Sequence, residues 1–126
     1  MFAIDTSTLI AFLQGAEGKD VQLFIKGLRN HEVSLPQVVV SELLSDPNLD
    51  SRTLSPILKL PRLLIELGFW ERAGINRSKV LAKKLKAKLA DSLIAQSCLD
   101  YDCRLITRDN DFKNFVSCCG LKLATI

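Results

Sequence analysis

The sequence FAIDTSTLI, residues 2–10, joins a short apolar run to one carboxylate and a cluster of hydroxyl side chains. Residues 2–4 predict a buried strand, and the hydroxyl groups of residues 6–8 can cap the helix that follows. Asp5 then lies at the carboxyl end of the first strand. Because ligands bind outside this edge of open parallel α/β sheets, Asp5 is a candidate site residue.

The composition limits the class of protein. A chain of 126 residues with 48% hydrophobic content is large enough for one domain over residues 1–126 with its own core. A net charge of +3 permits a nucleic-acid partner without requiring one. No apolar run approaches the roughly 20 residues that span a bilayer, and the N-terminus lacks the basic region and cleavage site of a signal peptide. We therefore expect a cytoplasmic protein without a membrane partner.

The cysteines do not form a zinc-binding pattern. They contain no C-x-x-C pair, and His31 is the only histidine in the sequence, so a structural zinc site is not expected. In a cytoplasmic chain they are interpreted as reduced, small apolar core residues: Cys98, Cys103, Cys118 and Cys119.

Glu42 is the second candidate acid. Residues 31–35 predict a strand, and residues 36–45 predict a helix that opens on a proline. Glu42 lies three and four residues after Val39 and Val38, so it shares their apolar face. A carboxylate on a buried face is costly unless it is paired or binds a metal. Both interpretations are open for Glu42.

Asp91 is the third candidate acid. Residues 90–99 predict a nearly all-apolar, buried helix with Asp91 at its start. Ile94, Ala95 and Cys98 lie three, four and seven residues after Asp91, so the carboxylate heads an inward face. An N-terminal cap is the other interpretation, and capping and metal binding are compatible.

Two more acids follow a third predicted strand at residues 103–107. Asp109 lies two residues beyond Thr107 and close to the sheet edge, while Asp111 lies farther out and can cap the next helix. An ordinary polar turn is the alternative for both. We predict that Asp109 supports a metal ion and that Asp111 acts mainly as a cap.

The other elements are less strongly patterned. Residues 54–67 predict a helix that its prolines break or kink, residues 69–70 a short extended piece, and residues 121–124 a last strand. Residues 72–88 carry seven basic side chains and no acid. This basic segment can contact phosphates, with Lys83, Lys84 and Lys86 as RNA-binding candidates. Alternatively it is a solvated helix face, with Val80, Leu81 and Leu85 turned inward.

The four principal acids arise at strand ends or helix starts that an α/β order can bring to one edge of a sheet. Clustered carboxylates repel one another unless a divalent cation compensates their charge. All-oxygen ligation favours Mg²⁺ or Mn²⁺ over zinc. Such ions suit phosphate-ester chemistry.

These motifs resemble the PIN-domain ribonucleases of the VapC toxin type. In chain order they are IDTS (residues 4–7), VSELL (40–44), LADSLIA (89–95) and LITRDNDF (105–112). The resemblance implies a three-layer α/β fold with a central parallel sheet flanked by helices. It also implies a Mg²⁺ or Mn²⁺ site, RNA cleavage, a small VapB-type antitoxin and a homodimer.

The resemblance assigns roles by position. The acidic quartet matches Asp5, Glu42, Asp91 and Asp109, and supporting positions match Thr6, Thr107 and Asp111. The stretch between Leu85 and Asp91 is shorter than the family's usual loop, which leaves the placement of the basic segment open.

Two rival functions remain. A haloacid-dehalogenase-like phosphatase using Asp5 as nucleophile requires a second aspartate two residues later, where this chain has Ser7. A noncatalytic PIN-like module that binds RNA or protein would typically have lost one or more acids. All four acids remain here, which favours an enzyme.

Overall fold

Short parallel strands form the centre of the fold within residues 1–124, which the computed structural model describes. The strands are β1 (Phe2–Ile4), β2 (Val33–Pro36), β3 (Arg62–Leu63) and β4 (Arg104–Ile106). Their order in the sheet is β3-β2-β1-β4, and every pairing is parallel. The carboxyl ends of the strands therefore share one edge, and Asp5 follows β1 directly at that edge.

Helices flank this sheet, which confirms the predicted three-layer α/β class. Each connection between successive strands carries at least one helix, as parallel pairing requires. The α-helices of the described residues are α1 (Thr6–Leu13), α2 (Lys19–Arg29), α3 (Gln37–Leu44), α4 (Ser51–Leu58), α5 (Phe69–Ala82), α6 (Leu89–Tyr101) and α7 (Lys113–Cys119). A short 3-10 helix, Asn110–Phe112, precedes α7.

The core lies on both faces of the sheet. Strands β1 and β4 are apolar at consecutive positions. In β1 the buried residues are Ala3 and Ile4, and in β4 they are Leu105 and Ile106. This continuous burial is typical of a parallel sheet covered on both sides. Helix residues complete the core, among them Leu9, Phe24, Val39, Ile94 and Phe115.

The helix predicted over residues 54–67 is wrong in its second half. The helix α4 ends at Leu58, and Arg62–Leu63 pair with the end of β2 as strand β3. The amide of Leu35 donates to the carbonyl of Pro61 at 2.7 Å. Because β3 is only two residues long, it has no periodicity that could separate it from a helix.

Other predicted boundaries also change. Residues 69–70 begin α5 instead of forming an extended piece, and Pro36 ends β2 instead of opening α3. Residues 121–124 form no strand, since only an isolated bridge joins Leu123 to Leu105.

Helix α5 ends at Ala82, within the basic segment of residues 72–88. Val80 is buried as predicted, but Leu81 and Leu85 are 45% and 38% exposed. Leu85 lies beyond the end of α5 at Ala82, so helical spacing no longer determines where it points, and Leu81 lies in the last turn of α5 on its exposed side.

Two of the cysteines are core residues as expected. Cys98 and Cys103 are buried, whereas Cys118 and Cys119 are only half-buried. Among residues 1–124, none of the helices combines the length and the apolar character that crossing a membrane demands.

Candidate functional site

Asp5 is held by three hydrogen bonds at the end of β1. The Thr6 amide donates to Oδ1 at 2.7 Å. The hydroxyls of Ser7 and Thr107 donate to Oδ2 at 2.7 and 2.8 Å. The residue is only 4% exposed, and burial raises the pKa of Asp5 despite these hydrogen bonds. Both α1 and the end of β4 therefore fix the orientation of this carboxylate.

Glu42 is linked to the same edge through Thr6. It is half-buried on α3, and its Oε1 accepts a hydrogen bond from the Thr6 hydroxyl at 2.7 Å. Thr6 thus donates its amide to Asp5 and its hydroxyl to Glu42. The alternative interpretation, in which Glu42 pairs with a basic side chain, finds no salt bridge to support it among the described residues.

Asp91 is the least satisfied group of the site. It lies in the first turn of α6 and is 8% exposed, and its Oδ2 has no hydrogen-bond partner among the described residues. The N-cap position belongs to Lys88, so the capping interpretation of Asp91 is wrong. A buried carboxylate oxygen without a partner is uncommon and costly.

Charged side chains near Asp91 change its pKa. Burial, followed by the charges of Asp5 and Asp109, raises the pKa of Asp91 to about 6, and Glu42 adds to this rise. Lys88 acts in the opposite direction. The charges of Asp5 and Asp109, which follow strands, and of Glu42 on α3 therefore all act on the carboxyl group of Asp91 on α6.

The capping role predicted for Asp111 belongs to Asp109, which also lies in the acidic cluster. Asp109 is the N-cap of the 3-10 helix, and its Oδ1 accepts from the Asp111 amide at 2.9 Å. The N-cap position of α7 is Phe112, which makes no side-chain cap. The prediction that Asp111 caps a helix is wrong because the 3-10 turn moves the cap two residues earlier.

Asp111 instead belongs to the acidic cluster. One carboxylate oxygen each from Asp91, Asp109 and Asp111 lies within 4.8 Å of the others. The Lys86 ammonium lies 3.5 Å from Asp111 Oδ2. Asp5 and Glu42 are outside this three-residue group, but the charges of both raise the pKa of Asp91.

The donor set fits a hard divalent cation. All of the available ligand atoms are carboxylate oxygens, the ligands that Mg²⁺ and Mn²⁺ prefer. The unpartnered Asp91 Oδ2 is one such atom, and a cation beside it would offset the repulsion between the acids.

Ser7 is a site residue that the sequence interpretation missed. Its hydroxyl donates to Asp5 and lies 3.4 Å from the Thr107 hydroxyl. The signal was available in the sequence, because a hydroxyl two residues after an aspartate at a helix start can reach back to it.

The RNA-binding candidates lie in the turn between α5 and α6. Lys83, Lys84 and Lys86 are exposed there. The basic segment is not free of acids in space, since Arg72 makes two hydrogen bonds to Asp100, at 3.0 and 2.7 Å.

Replacing Asp109 and Asp111 by alanine should separate their roles. Asp109→Ala is expected to lower the free energy of unfolding by about 1 kcal/mol through loss of the cap, while Asp109→Asn retains most of it. Asp111→Ala loses only a partly exposed ion pair, so its cost should be below about 0.5 kcal/mol. Urea unfolding of the metal-free variants measures this difference, and an Asp111→Ala variant less stable than Asp109→Ala would return the cap to Asp111.

Comparisons with known proteins agree with this geometry. Residues 2–116 match the family model described as PIN domain. The fold is similar to that of a chain in the crystal structure of VapBC2 from Rickettsia felis. In that structure VapBC2 is bound to a DNA fragment from its promoter. That match has a TM-score of 0.75 and 16% identity, and covers 98% of this chain and 96% of the other.

A second solved structure, FitAcB from Neisseria gonorrhoeae, is similar with a TM-score of 0.72 and 16% identity. The match covers 99% of this chain and 97% of the other. At these identities the two structures show the fold. No curated protein matches the sequence.

Proposed function

Because the chain belongs to the PIN-domain family, we propose that it is a divalent-metal-dependent endoribonuclease and the toxin of a VapBC-type toxin–antitoxin pair. The observation that carries the proposal is the buried, unpartnered Asp91 Oδ2. Burial raises the pKa of this carboxyl group, and the charges of Asp5, Asp109 and Glu42 raise it further. Such crowding is costly in a protein without a cation. Repulsion between carboxylates is typical of acids that bind a metal ion for catalysis.

The proposed metal ligands are Asp5, Asp91 and Asp109, with Asp111 beside them. Glu42 completes the acidic site and is oriented by Thr6. A bound Mg²⁺ or Mn²⁺ would activate water and neutralise charge on a phosphodiester. The hydroxyls of Ser7 and Thr107 hold one oxygen of Asp5, whereas Oδ2 of Asp91 has no partner among the described residues.

The proposal is tested by incubating the protein with a pool of labelled RNAs of varied sequence in Mn²⁺, Mg²⁺ or EDTA. We expect cleavage of RNA with either ion and none with EDTA, and little cleavage of DNA of matching sequence. Equal cleavage in EDTA would contradict the metal requirement. Binding of RNA without cleavage in either ion would favour the noncatalytic module instead.

Neutralising Lys83, Lys84 and Lys86 together should weaken RNA binding. If all three contact phosphates, the slope of log affinity against log salt should fall by about 2, since each contact with single-stranded RNA contributes about 0.7. Fluorescence anisotropy with catalytically inactive protein measures the slope.

A matched variant controls for net charge. Changing Lys26, Arg29 and Lys59 to glutamine removes the same charge from exposed positions on other elements. If both triple variants show the same slope, the lysines between α5 and α6 are only a solvated surface.

Protein partners are part of the same proposal: a small VapB-type antitoxin and a second copy of this chain. Apolar side chains from the end of β3 to the first turn of α5 support a protein interface, since Leu64, Leu67 and Trp70 are 67%, 98% and 60% exposed. Clusters of exposed apolar groups mark such interfaces. The proposed location is the cytoplasm. Light scattering should give twice the monomer mass for the isolated toxin, and a monomeric mass would contradict the homodimer.

A further inference from the structure

An ion pair joins Arg108, which directly precedes Asp109, to Asp20 in the first turn of α2. Arg108 Nε donates to Asp20 Oδ2 at 2.8 Å, and Arg108 Nη2 donates to Asp20 Oδ1 at 3.0 Å. The same Nη2 donates to the carbonyl of Glu17 at 3.2 Å, and the buried hydroxyl of Thr8 donates to Asp20 at 2.9 Å. Such a two-point contact fixes direction as well as distance.

The backbone beside the pair leaves room for it. A Cβ added at Gly18 would lie 2.6 Å from Asp20 Oδ1 and 2.9 Å from Arg108 Nη2. Gly18 also has a φ of +154°, which a residue with a side chain rarely adopts. The approach of Arg108 to the start of α2 therefore depends on a glycine at this position.

Arg108 lies between Thr107 and Asp109 in the chain, and both of these residues belong to the site. The Thr107 hydroxyl donates to Asp5 Oδ2 at 2.8 Å and accepts from the Asp109 amide at 3.0 Å. Asp109 in turn belongs to the acidic cluster. A shift of the backbone at residue 108 would therefore move both the hydroxyl that holds Asp5 and the carboxylate of Asp109.

We infer that Asp20 and Arg108 are positioning residues, which hold Thr107 and Asp109 in the geometry that binds the divalent metal. The inference rests on the proposed function and adds residues outside the acidic quartet to it. Neither side chain makes a hydrogen bond to a site carboxylate among the described residues, so both act through the backbone of the turn after β4. Replacing an outer partner that orients a metal ligand typically weakens metal binding by about 10- to 100-fold.

Stability alone does not account for the arrangement. The Arg108 and Asp20 side chains are 37% and 13% exposed. Exposed ion pairs contribute little to folding unless they make a two-point contact, and such a contact also fixes the direction of Arg108. Hydrogen bonds from Arg108 hold the pKa of Asp20 below its usual range, so the pair is charged at neutral pH. A partly exposed pair with this fixed geometry is better suited to orienting a loop than to stabilising the fold.

The test is a calorimetric titration of Mn²⁺ into the full chain. Arg108→Gln and Asp20→Asn should each raise the Kd for Mn²⁺ by about 10-fold, the lower end of the range for outer partners of metal ligands. The double variant should bind no more weakly than either single variant, because the two residues act as a unit. Arg108→Lys should give an intermediate Kd, since a lysine makes a point contact in place of the two-point contact.

A control variant removes an ion pair from the other end of β4. Lys122 lies 2.9 Å from Asp102, which precedes β4, so Lys122→Gln should leave the Kd unchanged. If Arg108→Gln and Asp20→Asn lower the melting temperature but bind Mn²⁺ as tightly as the wild type, the pair is merely structural and the inference is overturned. An equal loss of affinity in Lys122→Gln would overturn it too. A wild-type protein that binds no Mn²⁺ would instead overturn the proposed function, together with everything that rests on it.

Discussion

The Asp91→Asn variant should melt at a higher temperature than the wild-type protein at pH 7.5 in metal-free buffer, and should no longer cleave RNA. The pKa of Asp91 is raised from 3.8 to about 6 in the folded protein. Above pH 6 the folded state therefore carries a buried charge that the unfolded state carries more easily. A shift of about two pKa units corresponds to at most about 3 kcal/mol of lost stability, which the neutral asparagine would recover.

The sign of this effect depends on pH. The folded state binds the Asp91 proton more tightly than the unfolded state does, so this group's contribution to stability falls as the pH rises from about 4 through 6. The advantage of Asp91→Asn should therefore shrink as the pH is lowered from 7.5 toward 4. Thermal melts of both proteins across this range measure it.

Asp102→Asn serves as the control, because Asp102 is exposed and paired with Lys122 and should give no gain at pH 7.5. A lower melting temperature for Asp91→Asn at pH 7.5 would contradict the explanation. A gain that does not change with pH would contradict it equally.

The second large effect is expected for Asp5→Asn. We expect single-turnover RNA cleavage in Mn²⁺ to fall by about 100-fold or more, which is at or beyond the largest loss typical of outer partners of metal ligands, because Asp5 is proposed as a ligand itself. The free energy of unfolding should change by about 1 kcal/mol or less. The amide oxygen can still accept from the Thr6 amide, and the hydroxyls of Ser7 and Thr107 can rotate to accept from the new NH₂ group.

Asp50→Asn is the matched control for this substitution. Asp50 is also an N-cap, with its side chain accepting from the Arg52 amide at 3.1 Å, but it lies before α4 and outside the acidic cluster. Its variant should cleave RNA at the wild-type rate. Glu42→Gln should behave like Asp5→Asn, because it retains the oxygen that accepts from Thr6 but loses the charge. An acid whose neutral variant retains the wild-type rate is not required for cleavage.

The sequence was sufficient for the parts of the fold that carry strong patterns. Strands β1 and β4 contain consecutive apolar residues and are followed by polar ones, so both could be predicted together with Asp5 and Asp109 beyond them. Fold class and family follow from the order of these motifs, and both predictions are confirmed. The two-residue edge strand β3 was missed because it is held by pairing with β2, and its own residues resemble a helix.

The details of the site depend on contacts that local patterns do not encode. Whether Asp109 or Asp111 caps a helix is decided by a 3-10 turn of three residues, which an aspartate-rich stretch does not specify. The Asp20–Arg108 pair joins residues 88 positions apart in the chain. The unpartnered oxygen of Asp91 emerges only once α6 has been packed against β2 and β4.

The central claim is that the carboxylates at this edge of the sheet bind a divalent metal. The most direct measurement is an anomalous difference map from a crystal of the wild-type protein soaked in Mn²⁺. We predict a peak within bonding distance of carboxylate oxygens from Asp5, Asp91 and Asp109, and no such peak in crystals of Asp91→Asn. A wild-type map with no peak among these residues at saturating Mn²⁺ would contradict the claim.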